Sequence, residues 1–148
     1  MRRHLVSLLM VAAAIAGAAC DESLSKIAGP TPSLEPTFAS IQREIFETPD
    51  SAGRPNCTRC HNAAGRAFAG GLSLEHDIAY DSLVNVASRG KARATRVIPL
   101  DPDNSYLVQK VEGRAGIVGL RMPFNGPYLS DGQVLILKRW IEIGAPRN

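Results

Sequence analysis

Two cysteines three residues apart, with a histidine directly after the second, stand in this chain as Cys57-Thr58-Arg59-Cys60-His61. On one helical turn, two such thiols can reach the two vinyl groups of a haem and form thioethers. The next residue then offers an imidazole nitrogen to the iron. The spacing therefore reads as attachment of one covalent c-type haem, with Cys57 and Cys60 as thioether positions and His61 as proximal ligand. A structural zinc half-site, a redox Cys-x-x-Cys and a disulfide are the alternatives. Zinc needs two more good ligands, and the remaining cysteine and histidines are poorly placed to supply them. A redox motif of the thioredoxin kind needs a βαβ context, which the sequence lacks.

A haem held by one histidine leaves its sixth iron position to be filled, and that position separates a carrier from a sensor. Met122 lies in Gly119-Leu120-Arg121-Met122-Pro123-Phe124-Asn125-Gly126-Pro127, a glycine-proline loop between two predicted helices. Buried methionines usually fill cores from helix faces. In a stiff loop the thioether has less packing to explain it, so Met122 is expected as the distal iron ligand. His76, flanked by Glu75 and Asp77, reads as solvent-facing and is the rival ligand or propionate contact.

These residues need an export route and a scaffold. Residues 1–4 are basic and residues 5–19 carry no charge and are rich in Leu, Val and Ala. That run is short for a membrane span and reads as a cleaved signal peptide rather than a retained anchor. It ends in Gly17-Ala18-Ala19-Cys20, which resembles a bacterial lipobox with glycine in place of the usual large aliphatic residue. Lipidation of Cys20 accounts for all three cysteines, whereas ordinary cleavage after Ala16-Gly17-Ala18 would leave an unpaired thiol. The expected organisation is a lipoprotein-type signal peptide over 1–19, a flexible tether over 20–36 and one domain over 37–148.

Within 148 residues there is room for one small domain plus these appendages. Cleavage at residue 19 removes two of the 17 basic residues and none of the 14 acidic ones, lowering the formal charge from +3 to +1. Two haem propionates bring it to neutral or below, so nothing here points to nucleic-acid binding. Residues 21–36 are polar and punctuated by Pro30, Pro32 and Pro36, as a membrane tether would be.

The domain is expected to be all-α. Thr37 should cap a helix whose Phe38, Ile41, Ile45 and Phe46 share one face, with Pro49 as its stop. A loop over 50–55 feeds the attachment turn, and Ser73 should cap a helix over 74–84. The stretch 88–96 is basic and reads as a solvated loop, unless one of its arginines meets a haem propionate or an acidic partner. A helix over 105–112 should end at Gly113. The last helix opens on the capping box of Ser130 and Gln133, carries Val134, Leu135, Leu137, Trp140 and Ile141, and closes at Gly144.

With these residues assembled, the chain resembles the bacterial monohaem cytochrome c family, in particular the domains of exported or lipid-anchored proteins. The resemblance covers roughly 37–146. It is carried by Cys57-Thr58-Arg59-Cys60-His61, Gly71-Leu72-Ser73-Leu74, the stretch from Ala79 to Val86, Val97-Ile98-Pro99, Asp101 to Val108, Arg121-Met122-Pro123, and Trp140-Ile141 before Gly144-Ala145. Such domains carry glycine where Leu100 stands, and often a second proline or glycine where Phe124 stands. The resemblance implies a helical cytochrome c fold with crossing N- and C-terminal helices, here those of Phe38–Phe46 and Trp140. It also implies haem c on Cys57 and Cys60, with His61 and Met122 as iron ligands. The protein is then an electron carrier of the cell envelope rather than an enzyme, without catalytic residues of its own. It would be lipid-anchored on the periplasmic or outer side and would serve redox-protein donors and acceptors, a dehydrogenase among them. Its docking surface is expected around Arg54, Arg59 and Arg66. The alternative function is a haem-based sensor or small-ligand-binding module in which Met122 yields to a gas.

Overall fold

The computed structural model describes residue 31, residues 33–65 and residues 69–148. The expected signal peptide, Cys20, most of the tether and Arg66 lie outside the described residues. Among the described residues the secondary structure is helical with isolated β-bridges and no strand. No described helix is long and apolar enough to cross a membrane.

Helix α1, Phe38–Ile41, starts where the sequence places it. The Thr37 hydroxyl accepts the Ser40 N–H at 3.2 Å, satisfying one of the amides that a helix start leaves unpaired. The chain then continues as a wider π-helical segment, Gln42–Glu47, and Thr48 turns extended ahead of Pro49. Phe38, Ile41, Ile45 and Phe46 are all buried. A 3₁₀ turn, Cys57–Arg59, follows the loop.

The expected helix over 74–84 is shorter than its pattern suggests. Only α2, Ala79–Leu83, is helical. Ser73 does not cap it: its buried hydroxyl donates to Glu75 Oε2 at 2.9 Å and accepts the Glu75 N–H, and the same carboxylate oxygen accepts the Ala63 N–H. Those bonds hold residues 73–75 in a turn that ties the attachment loop to α2. Helix α3, Tyr106–Glu112, ends on Gly113 at φ +72, the left-handed C-cap that only glycine adopts without strain. Helix α4, Asp131–Glu142, carries the complete capping box, with Ser130 Oγ accepting the Gln133 N–H and Gln133 Oε1 accepting the Ser130 N–H.

One core joins these elements. Trp140 is fully buried and donates its indole N–H to the Pro146 carbonyl at 2.9 Å. Phe38 lies 5.5 Å from the Trp140 ring and 5.1 Å, edge-on, from Tyr80, so α1, α2 and α4 meet in an aromatic cluster. Helix α3 packs on α4 through its buried Val108 and Val111 face. The packed body also reaches back beyond Thr37. Leu34 belongs to the core, and the buried Thr31 accepts a hydrogen bond from Gln133. Both residues fall in the stretch that the sequence reads as tether. Composition there is polar on average, but one well-placed leucine is enough to dock it.

Leu100 adopts φ +68 while 72% exposed. That left-handed backbone is one that glycine adopts at no steric cost.

Candidate haem-attachment site

The attachment turn is built on Cys57. Its carbonyl accepts the N–H groups of Cys60 and His61 at 3.2 and 2.9 Å, so residues 57–61 close a single helical turn. Both thiols are free, Cys57 facing the core and Cys60 exposed. Cys57 Sγ donates to the Ile45 carbonyl at 3.4 Å, and burial pushes its thiol up to about 11, against the opposing pull of Arg54.

The turn is held from behind by Arg54, whose side chain is fully buried. Its guanidinium pairs with Asp50, itself 1% exposed, at 3.1 Å. The same group donates to the carbonyls of Ile45, Pro55, Glu44 and Thr48 at 2.9 to 3.3 Å and approaches Cys57 Sγ at 3.9 Å. Asp50 accepts the N–H groups of Ala52 and Arg54 and the Gln133 amide, which joins the loop to the start of α4. Burial alone would raise the Asp50 carboxyl. The Arg54 N–H, the Gln133 amide and the guanidinium outweigh it and hold the group below its ordinary value. The sequence suggests Arg54 as part of a docking surface; its side chain is instead fully buried, because a group with this many internal partners cannot also face solvent. Arg59, by contrast, is exposed.

His61 has the character a metal ligand needs. Burial pushes its imidazole below the ordinary value. The Leu72 carbonyl offsets part of this, and the charges of Arg96 and Lys110 reinforce it, so the ring is neutral near pH 7. Its Nδ1 is buried without a hydrogen-bond partner. A neutral imidazole with an unsatisfied buried nitrogen, next to two free thiols, fits a covalently bound haem. Among the described residues no three His, Cys, Asp or Glu side chains are grouped to hold a metal ion.

Met122 is half-buried, and its N–H donates to the Lys110 carbonyl at 2.9 Å. The loop around it is strapped to α3. The Lys110 ammonium donates to the carbonyls of Val118 and Leu120, the Arg121 Nε to the Val111 carbonyl, and Tyr106 Oη accepts the Val118 N–H. Val118, Leu120, Phe124 and Tyr128 of this loop remain exposed, an apolar surface beside the methionine. His76 is 73% exposed, with Nδ1 3.1 Å from Glu47. It lines a cleft of about 580 Å³ with Glu47, Thr58, Asn62, Ala63, Ala64 and Glu75.

The sequence reads 88–96 as a solvated loop unless one of its arginines meets a propionate or an acidic partner, and of these arginines Arg96 is buried. The one sequence signal for Arg96 is its place directly before the apolar Val97-Ile98 pair. No family model, curated protein or solved structure matches this chain, so the cytochrome resemblance rests on the residues quoted for it.

Proposed function

We propose that this chain is an exported one-electron carrier of the cytochrome c type, with one haem fixed through Cys57 and Cys60. The observation that carries this reading is the single turn from Cys57 to His61, which carries two free thiols and a neutral imidazole. Bound there, the haem supplies a ferric/ferrous couple. Cys57 and Cys60 would hold the haem as thioethers, each formed by addition of its S–H across one vinyl double bond with no external oxidant or reductant. His61 would supply an imidazole nitrogen to the iron. Met122 would supply a thioether, a soft ligand that favours the reduced state relative to a second imidazole. The hydrogen bonds from α3 to the Met122 loop would hold that residue in place for such a role.

The contact of Phe38 with Trp140, joining the first and last helices, supports a cytochrome c-like helical fold. The reading includes lipidation at Cys20, location in the cell envelope and redox proteins as partners. The deciding experiment is mass spectrometry of the denatured protein made in cells competent for c-type maturation. One haem mass should survive denaturation, and Cys57→Ala with Cys60→Ala should abolish it. Haem that extracts into acid acetone would end the assignment.

A further inference from the structure

Large apolar side chains are exposed at few places among the described residues, and four of them crowd into the single loop 118–128. Val118, Leu120, Phe124 and Tyr128 are each 47 to 60% exposed there. Such a concentration on one segment marks a contact face. The backbone beneath it is fixed. The Lys110 ammonium donates to the Val118 and Leu120 carbonyls, the Met122 N–H to the Lys110 carbonyl, and Arg121 Nε to the Val111 carbonyl. A loop strapped to α3 in this way keeps its apolar tips turned outward.

The charge of this face has one sign. From Gly113 to Ser130 the chain carries Arg114 and Arg121 and no acidic residue. Arg114 is neutralised by Asp103 and Glu112. Arg121, 4.1 Å from the Tyr128 ring centroid, and Lys110 have no described carboxylate partner. Two copies meeting symmetrically through this loop would set like charges against each other. Its complement is therefore an apolar surface that carries negative charge.

The course of the chain says which surface that is. The buried Thr31 accepts the Gln133 amide at 3.3 Å, and Gln133 is locked to Ser130, the cap of α4, two residues after Tyr128. Leu34 seats the same segment in the core. Residues 21–30 alone separate Thr31 from Cys20, at most ~40 Å of fully extended chain. The exit towards the expected lipid anchor thus lies beside the end of the apolar loop.

We propose that the 118–128 loop is a second membrane contact, its apolar tips seated in the interface of an anionic bilayer with the charges of Arg121 and Lys110 behind them. It rests on the Cys20 reading only for its orientation. Tyrosine and arginine suit that boundary, where an apolar body meets hydrocarbon and a polar tip meets headgroups. So small a contact binds weakly alone. A short tether raises its effective concentration to the millimolar range, which is enough to keep a weak contact occupied.

The test uses the full-length protein exported and processed with Cys20→Ser, which carries no lipid. It is sedimented with vesicles of phosphatidylcholine, alone or mixed with phosphatidylglycerol. Binding should be stronger to the mixed vesicles and should fall with added salt. Leu120→Ser and Phe124→Ser should each weaken it about tenfold. Arg121→Gln should weaken it about fivefold, on the mixed vesicles only. Leu135→Ser, which removes a comparably exposed leucine from α4, should change nothing. Absence of vesicle binding, or an equal loss in Leu135→Ser, overturns the proposal. In wild-type membranes, a photo-crosslinking benzophenone side chain at position 124 should form adducts with phospholipid, and adducts with another protein in their place overturn it. Wild type without lipid on Cys20 refutes the anchor instead, and the same sedimentation of wild type then decides the loop.

Discussion

Replacing Arg54 by methionine keeps the apolar stem and removes a charge that the fold has fully enclosed. Asp50, 1% exposed, then loses its cation, and the carbonyls of Glu44, Ile45, Thr48 and Pro55 lose a shared donor. Removing one partner of a buried pair costs about 3–5 kcal/mol. Three N–H groups still solvate Asp50, those of Ala52, Arg54 and the Gln133 amide, which argues for the lower half of that range. Even ~3 kcal/mol is a large share of the ~5–15 kcal/mol that holds a domain folded. Asp50→Asn should also destabilise, and the double variant should lose less than the two singles together by ~1 kcal/mol or more, because each single strands the other group. The assay is urea unfolding of the matured protein, followed by far-ultraviolet circular dichroism, with unchanged slope as the check on two-state behaviour. The Asp50 carboxyl is depressed in the folded state, so its contribution is present above the ordinary value of 3.8 and is lost as pH falls below it through the folded value. Asp50→Asn should flatten that acid limb. An Arg54→Met loss under ~1 kcal/mol, or strictly additive singles, would refute the clamp.

Met122→Ala should erase the near-infrared sulfur-to-iron band of the ferric protein, lower the potential and admit carbon monoxide, while His76→Ala leaves the band in place. Wild-type protein that already binds carbon monoxide would favour the sensor. Leu100→Gly should stabilise by roughly 0.5–1 kcal/mol in the same urea assay: relief of left-handed strain, ~1–2 kcal/mol, outweighs the backbone entropy of glycine, and an exposed leucine loses little burial. Cys20→Ser should move the protein from the membrane to the soluble fraction, since stable anchoring needs more than one acyl chain. Wild type found wholly soluble would count against lipidation.

What the sequence determined by itself is whatever depends on neighbours three or four residues away. Ser130 with Gln133, Thr37 with Ser40, and Gly113 at a left-handed C-cap are each a local hydrogen-bonding arrangement, and each stands where its pattern puts it. The attachment turn is local in the same sense, since its bonds run from Cys57 to Cys60 and His61. Tertiary structure decided the charged and polar groups. Ser73 looks like a helix cap until Glu75 and Ala63 claim the turn, and Ser105 precedes α3 but gives its hydroxyl to the 98–101 turn instead of the helix. Arg54 and Arg96 both read as surface cations in a run of residues. Their burial depends on partners that folding brings together: Gln133, 83 residues along the chain from Asp50, for the first, and the Gly70 carbonyl, 26 residues away, for the second. A charge is enclosed only when enough distant acceptors converge on it, and no periodicity along the chain records that convergence.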